Sequence, residues 1–192
     1  MSSSSEDLVN SLFSLYDKWG TQNYIGEKVS QLQHAQQVAR LAEDAGSSED
    51  IVLAGFLHDI GHIIGLEEGL KNMEQDGVTL GTAEHEEVGE NYLRKLGFPE
   101  KVTQFVKAHV QAKRYLVFKN PEYYNTLSDA SKGTLICQGG PMSVSEAEVF
   151  ENLESFQDIL NMRSWDEKAK NPNIQIISNE KYRQIAIRTI NE

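Results

Sequence analysis

A short apolar stretch of the chain carries three residues that could hold a metal ion. His58 and Asp59 directly follow the apolar residues 55–57, and His62 comes four residues after His58. Polar groups inside an apolar run cost desolvation free energy unless a ligand or a hydrogen bond satisfies them. If the stretch is one helix, His58 and Asp59 diverge by about a third of a turn, and His62 returns to the side of His58. The stretch therefore predicts a metal pocket, with a capped or solvated histidine pair near a helix end as the alternative.

The other three histidines lie on separate predicted helices. His109 follows Val102 by seven residues and Val106 by three, which places it on their apolar face. His34 and His85 fall on apolar faces in the same way. Imidazole nitrogens combined with a hard carboxylate suit iron, manganese or zinc. Together with the central pair, these histidines favour a metal centre, although any one of them could instead be a buried neutral histidine satisfied by a hydrogen bond.

Apolar residues at helical spacing predict the elements that position these side chains. The predicted helices cover 6–19, 28–45, 84–96, 127–137, 145–169 and 179–190. Two more are predicted: one begins at Ser47 and leads into the central pair, and one has Pro99 at its first position and ends at Asn120. Residues 63–83 show no convincing period and are interpreted as a loop, and no alternating strand pattern is seen. The chain is therefore predicted to be all-α.

Composition limits the classes of function. A net charge of −11, from 29 acidic and 18 basic residues, disfavours a general nucleic-acid surface and adhesion to membranes. The N-terminus has no basic region followed by an apolar one, so no signal peptide is expected. The single Cys137 cannot form an internal disulfide, which fits a reducing cytoplasm. These features predict a cytoplasmic protein that acts on a small molecule.

The order of the candidate ligands resembles that of the HD-domain superfamily, an all-helical metal-binding fold. The matching residues are His34, the adjacent His58-Asp59 pair and a late Asp166, while His85 and His109 correspond to the two-metal branch. The resemblance implies a single HD-type helical bundle over 1–192, with a metal-binding core at about 24–170. It also implies two ions bridged by Asp59, one held by His34, His58 and Asp166 and the other by His85 and His109.

Flanking segments are similar to a narrower family, the 2-amino-1-hydroxyethylphosphonate dioxygenases. The segments are Asn23-Tyr-Ile-Gly-Glu27, Leu57-His-Asp-Ile-Gly-His62, His109-Val-Gln-Ala-Lys-Arg-Tyr-Leu-Val117, Leu127-Ser-Asp-Ala-Ser131, Gln138-Gly-Gly-Pro-Met142 and Arg163-Ser-Trp-Asp-Glu-Lys168. The resemblance covers about residues 20–170. It implies a mixed-valent Fe(II)/Fe(III) centre of two iron ions that uses O2 to cleave a carbon–phosphorus bond, giving glycine and phosphate.

Two cations beside candidate ligands are expected to bind the phosphonate. Lys113 lies one helical turn after His109, and Arg163 lies three residues before Asp166. In an otherwise acidic protein they would form a local anion site. The alternative is that both are ordinary solvated cations on helix surfaces.

Further contacts with the substrate are expected at four positions. His62 would donate a hydrogen bond at the reacting centre, and Ser131 would add a neutral donor, with Ser128 and Thr134 as competitors. Tyr24 would cover an open iron position while the site is empty, and Glu27 would pair with the substrate's ammonium. Alternatively, Tyr24 lies at the edge of the core and Glu27 is an acid at a helix N-terminus, favoured by the dipole.

Three rival functions remain open. An HD phosphohydrolase acting on a phosphate ester would use the same ligands but no O2. A metal-stabilised sensor or binding module would have no turnover, although none of the expected ligands is missing. An oxygenase for the N-trimethylated analogue would favour an aromatic cage over a carboxylate.

Overall fold

The computed structural model describes residues 4–24 and 26–191. Within them the chain forms eleven helices and one hairpin of two strands. In chain order the elements are α1 (Ser5–Trp19), α2 (Gln31–Asp44), α3 (Glu49–Leu57), α4 (Ile60–Glu68), β1 (Asn72–Gln75), β2 (Val78–Thr82), α5 (His85–Leu96), α6 (Glu100–Lys119), α7 (Pro121–Thr126), α8 (Asp129–Cys137), α9 (Val144–Glu151), α10 (Phe156–Lys168) and α11 (Glu180–Asn191). The all-α prediction is confirmed, with the hairpin as its exception.

The central stretch is two helices and not one. α3 ends at Leu57, and α4 begins at Ile60, so that His58 and Asp59 form the junction. Asp59 has φ −104° and ψ 12°, outside the helical region, which breaks the ladder of hydrogen bonds at this point. The helical spacing assumed between His58 and His62 therefore does not apply, although His62 still lines the cavity beside Asp59.

The segment 63–83, predicted to be a loop, is mostly regular. α4 continues to Glu68, and β1 then pairs antiparallel with β2 across a two-residue turn. The turn residues Asp76 and Gly77 both have positive φ, 51° and 79°, as the tight turns of hairpins require. An Asp-Gly turn is the one local signal that could have revealed the hairpin from sequence. Its strands of four and five residues are too short for a clear alternation.

Several predicted helix ends shift. The helix predicted over 28–45 begins only at Gln31, because Ser30 caps it. Pro99 precedes α6 as its N-cap residue instead of standing at its first position. The single helix predicted over 145–169 is two helices, α9 and α10, separated by residues 152–155. α7 was not predicted, although Pro121 stands at a favoured start.

The buried core is centred on α3, whose residues 52–57 are all buried. α3 packs against α2, α6 and α11, and Phe56 stacks on Phe13 and Tyr182 at ring-centroid distances of 5.5 and 4.6 Å. The hydroxyl of Tyr16 donates to the carbonyl oxygen of Phe56 at 3.0 Å. This packing fixes the carboxyl end of α3, where the candidate metal ligands begin.

No helix among the described residues is both long and apolar enough to span a bilayer. Residues 1–3, part of the segment for which no signal peptide is expected, lie outside the described ranges. So does Ile25 of the Asn23–Glu27 segment.

Candidate metal centre

The carboxylate of Asp59 lies between two groups of imidazoles. Its Oδ2 is 3.2 Å from Nε2 of His58 and 3.6 Å from Nε2 of His34. Its Oδ1 is 3.5 Å from Nε2 of His85 and 3.3 Å from Nε2 of His109. Each group could hold a metal ion, and the two groups share Asp59. The position of Asp59 at the junction of α3 and α4 makes this possible, since a side chain within a helix would face only one group.

Asp166, on α10, joins the first group. Its Oδ1 is 3.2 Å from Nε2 of His34 and 3.9 Å from Nε2 of His58. The other carboxylate oxygen accepts a hydrogen bond from Nη1 of Arg163. All six expected ligand residues therefore lie in one buried site, in an arrangement that agrees with the two sets implied by the resemblance.

The hydrogen bonds of the imidazoles fit metal binding. Nδ1 of His34 donates to the carbonyl of Ala169 at 2.9 Å, and Nδ1 of His58 donates to the carbonyl of Gly55 at 2.8 Å. With a proton on Nδ1, a neutral imidazole carries a bare lone pair on Nε2. Yet Nε2 of His34 and Nε2 of His58 lie 3.2 Å apart. Two lone pairs that close repel each other unless a proton or a metal ion lies between them.

The second group repeats this arrangement. Nδ1 of His109 bonds to the carbonyl of Val106 at 2.7 Å, and its Nε2 lies 3.1 Å from Nε2 of His85. Two nitrogens bound to one ion at about 2.1 Å, about 90° apart, would be separated by about 3.0 Å. Oδ2 of Asp59 is buried with no hydrogen-bond partner in the part of the chain that is described. The residues present therefore fit two metal ions.

Charge within the site is strongly coupled. Burial opposes ionisation of Asp59, but His58 and His109 hold its pKa well below the usual range. Burial likewise opposes a charge on His58, while Asp59 and Asp166 raise its pKa to about 9. Burial also opposes ionisation of Asp166, and Arg163 and His34 keep its pKa well below the usual range. The two carboxylates are thus anionic and attract cations.

His62 lies beside the second group, with its ring stacked on that of His85 at 3.9 Å. The backbone N–H of Thr82, at the end of β2, donates to Nδ1 of His62 at 3.1 Å. Burial lowers the pKa of His62 to about 4, so the ring is neutral and carries its proton on Nε2. The hairpin that the sequence analysis missed thus makes Nε2 of His62 a hydrogen-bond donor.

The approach of β2 to α4 depends on Gly65. A Cβ at this position would lie 2.0 Å from Oγ1 of Thr82. Only a glycine therefore allows the strand to come close enough for the bond to His62.

Lys113 and Arg163 line a cavity together with four of the candidate ligands, Asp59, His85, His109 and Asp166. Nζ of Lys113 donates to Oγ1 of Thr134 at 2.7 Å, and Lys113 is only 4% exposed. Burial, and then the charge of Arg163, lowers the pKa of Lys113 to about 7. The prediction that these cations lie beside the site agrees with the structure, and the alternative of solvated surface cations is wrong, since both are buried.

A network that the sequence analysis did not identify holds Arg163 in place. Its Nε donates to the hydroxyl of Tyr123 at 3.0 Å and to Oε1 of Glu167 at 3.1 Å. Nη2 lies 2.9 Å from the same oxygen of Glu167, but in no acceptable hydrogen-bond geometry. The guanidinium is thus anchored on one side and retains N–H groups for a ligand. Tyr123 stands 40 residues away in the chain and gave no sequence signal.

The mouth of the site is formed by the turn before α2. Tyr24 stacks on the ring of His34 at 4.0 Å, and burial with the nearby charges of Asp59 and Asp166 raises its pKa well above the usual range. The phenol is therefore protonated. The N–H of Glu27 donates to the carbonyl of Tyr24 at 2.9 Å, around Gly26 with φ +72°.

Glu27 is not the helix N-terminal acid of the alternative interpretation, because α2 begins four residues later. Its Oε1 instead pairs with Nζ of Lys170 at 2.6 Å. Tyr24, Glu27 and Lys170 line an outer cavity, which adjoins the metal cavity through shared walls. Tyr24 and Glu27 therefore lie at the same opening of the site, as predicted. The tight turn places them there, and not the helical turn that was expected.

The hydroxyl groups on α8 have separate roles. Ser131 and Thr134 line both cavities, whereas Oγ of Ser128 caps α8 by accepting from the N–H of Ser131 at 3.2 Å. Gln138 also lines the metal cavity, and its Oε1 is buried with no partner among the described residues. Gln138 belongs to a segment singled out in the sequence, but no role was predicted for it.

Known proteins that are similar to this chain indicate its family. The model of the HD-domain family matches residues 32–134. Uncharacterized protein L432 of Acanthamoeba polyphaga mimivirus is 39% identical over 184 residues, 96% of this chain and 82% of that protein. The [1-hydroxy-2-(trimethylamino)ethyl]phosphonate dioxygenase (glycine-betaine-forming) of Leisingera caerulea is 37% identical over 169 residues, 88% of this chain and 83% of that enzyme. The hydroxymethylphosphonate dioxygenase of Gimesia maris is 36% identical over 174 residues, 91% of this chain and 84% of that enzyme.

The HD match ends before Asp166, whereas the similarity to each relative extends over most of the chain. The two named enzymes act on different phosphonates. The similarity therefore supports the class of reaction more strongly than it supports any one substrate. The His/Asp groups and the HD match together indicate metal binding. The chain belongs to the HD-domain family and is homologous to hydroxyalkylphosphonate dioxygenases.

Proposed function

We propose that this protein uses O2 to cleave the carbon–phosphorus bond of a 1-hydroxyphosphonate. The reaction converts R–CH(OH)–PO3H2 and O2 into R–COOH and H3PO4, so both oxygen atoms of O2 enter the products. With 2-amino-1-hydroxyethylphosphonate as the substrate, the products are glycine and phosphate. The names of the two relatives, which are dioxygenases of phosphonates, support this class of reaction.

The observation that carries the proposal is a pair of buried cations in the metal cavity. Lys113 and Arg163 are 4% and 5% exposed in a protein with a net charge of −11. Among the described residues, no carboxylate oxygen lies within ion-pair distance of Nζ of Lys113, whose hydrogen bond goes to Thr134. A buried ammonium without an anion is costly, and a phosphonate dianion would supply the missing charge.

Residues on the wall of this cavity and directly behind it supply the ligands for two metal ions. We assign His34, His58 and Asp166 to one ion, His85 and His109 to the other, and Asp59 to both. When bound as a mixed-valent pair, two iron ions would supply the redox chemistry that activates O2. Imidazole and carboxylate ligands without thiolate suit iron.

The remaining cavity residues orient the substrate. Lys113 and Arg163 hold the phosphonate oxygens, and Ser131 adds a neutral donor. His62, whose proton lies on Nε2, donates to an oxygen of the substrate at the reacting centre. The protonated phenol of Tyr24 covers the face of His34 and limits access of water to the site.

The primary amine is the substrate substituent that the outer cavity fits best. Glu27 lines this cavity and would pair with an ammonium. A trimethylammonium group is best bound by a cage of several aromatic rings. Of the described residues that line the outer cavity, Tyr24 alone is a Phe, Tyr or Trp. This lining favours 2-amino-1-hydroxyethylphosphonate over its N-trimethylated analogue.

The test is phosphate release from 2-amino-1-hydroxyethylphosphonate by iron-loaded protein, with and without O2. We expect one O2 consumed per phosphate released and no release under anaerobic conditions. Release of phosphate from a phosphate ester without O2, and none from the phosphonate, would identify a phosphohydrolase instead. Metal binding without either turnover would identify a sensor or binding module.

A further inference from the structure

Glu27, the carboxylate expected to bind the substrate's amine, already pairs with the ammonium group of Lys170. Oε1 of Glu27 lies 2.6 Å from Nζ of Lys170. The two side chains are only 15% and 20% exposed, so water screens their attraction less than at an open surface. The positive charge that Glu27 would recognise in a substrate is therefore supplied by the protein itself.

Both members of this ion pair line the outer cavity, which adjoins the metal cavity. Tyr24, His62, Ser131 and Thr134 line both cavities, so the outer cavity continues the inner one. The outer cavity measures about 40 Å³, room for no more than a few water molecules. An aminoethyl chain bound at the inner cavity would extend towards the outer cavity, whose walls include both Glu27 and Lys170.

The backbone of Lys170 is fixed while its side chain has a second partner. The preceding carbonyl, that of Ala169, accepts a hydrogen bond from Nδ1 of His34, which ties this segment to the metal centre. Oγ of Ser128 lies 3.4 Å from Nζ of Lys170. The ammonium can therefore leave Glu27 by a rotation of its long side chain without losing every polar contact.

We propose that Lys170 determines specificity, because its ammonium occupies Glu27 in the substrate-free protein and a cationic substituent must displace it. The inference rests on the proposed function for the identity of the ligand. A 1-hydroxyphosphonate without an amine leaves the Glu27–Lys170 pair intact. Lys170 thereby sets how strongly the amino substrate is preferred over such a substrate.

The first experiment measures binding without turnover. 2-Aminoethylphosphonate lacks the 1-hydroxyl group, and propylphosphonate replaces its ammonium with a methyl group of similar size. Calorimetric titration of both ligands into wild type and Lys170→Met should show that the Kd of the amino ligand falls about fivefold in the variant, as expected for removal of a competing ion pair. The Kd of propylphosphonate should change by less than about twofold.

Matched variants separate the charge of Lys170 from general effects. Lys170→Arg keeps the cation and should retain the wild-type ratio of the two Kd values. Lys168→Met removes an exposed cation two residues away and should also leave the ratio unchanged. If circular dichroism shows that Lys170→Met is unfolded, Lys170→Gln replaces it, since Gln can still bond to Ser128.

Two outcomes would overturn the inference. An equal weakening of both ligands would mean that Lys170 binds the phosphonate. Unchanged affinity for both ligands would mean that breaking the Glu27–Lys170 ion pair costs no free energy. A second measurement, phosphate release from 2-amino-1-hydroxyethylphosphonate and hydroxymethylphosphonate, tests the proposed function separately. A shifted Kd ratio without any phosphate release would reject the proposed reaction and keep the role of Lys170.

Discussion

Replacing Lys113 with methionine should weaken substrate binding and stabilise the substrate-free fold at the same time. Nζ of Lys113 donates a hydrogen bond to Oγ1 of Thr134 at 2.7 Å, in a cavity that Arg163 also lines. Methionine keeps a similar length and removes the charge. Substrate affinity should fall while stability rises, because the charge of Lys113 favours the bound phosphonate but disfavours the folded state.

The lowered pKa of Lys113 sets the expected gain in stability of Lys113→Met. Burial and the charge of Arg163 lower the pKa of Lys113 from 10.5 to about 7. A difference of this size corresponds to a cost on the order of 5 kcal/mol for holding the charge in the folded protein. Replacement of buried ionic groups by apolar ones recovers about 1–4 kcal/mol in practice. For a chain of this length, each kcal/mol raises the Tm by about 2–4 °C.

The gain should depend on pH in a defined direction. The folded-state pKa of Lys113 lies below the unfolded value, so between about pH 7 and 10.5 the unfolded chain binds more protons. The stability of the wild type therefore rises with pH through this window. The advantage of Lys113→Met should be largest at or below pH 7 and should shrink towards pH 10.

Binding should change in the other direction. Loss of a charge-assisted hydrogen bond of about 1.5–3 kcal/mol predicts a KM for the phosphonate raised roughly ten- to hundredfold. The assays are thermal unfolding at pH 6, 8 and 9.5 and phosphate release at varied substrate concentration. Lys119→Met, an exposed cation on the same helix that pairs with Glu151, is the control and should leave KM unchanged. A variant that is less stable than the wild type at pH 6, or has an unchanged KM, would refute the reasoning.

Two further predictions concern the metal bridge and the histidine tautomer. Asp59→Asn removes the negative charge that faces both imidazole groups, so iron per chain should fall from about two to below one, measured by elemental analysis of protein made in iron-rich medium. Gly65→Ala adds a Cβ 2.0 Å from Oγ1 of Thr82 and should push β2 away from His62. We expect a loss of about 1–3 kcal/mol in stability and a lower kcat with little change in KM.

Each of these variants has a matched control. Asp44→Asn changes an exposed carboxylate that pairs with Arg40, and it should keep the full iron content. Two ions retained by Asp59→Asn would remove the bridging role. Leu66→Ala changes an exposed residue on the same helix as Gly65 and should leave kcat unaltered. Wild-type Tm and kcat in Gly65→Ala would show that the contact with Thr82 is not needed.

The sequence alone determined most helices and the candidate ligands. Helical periodicity reports which face of a segment is buried, and it pointed to the histidines and Asp59, whereas Asp166 was identified through the resemblance to the HD-domain superfamily. The single-domain organisation and the cytoplasmic location stay predictions. The glycine-forming assignment rests on flanking segments, and the homology supports it at the level of a hydroxyalkylphosphonate dioxygenase.

Tertiary structure decided how these residues face one another. The break at Asp59 turns its two carboxylate oxygens towards different imidazole groups, whereas a helical pattern places the side chain on one face. The hairpin fixes the proton of His62 on Nε2 through a backbone N–H twenty residues away. The pairing of Glu27 with Lys170 joins residues 143 positions apart. Periodicity reports burial within one element, but these contacts form between elements, where packing sets the distance and direction of each polar atom.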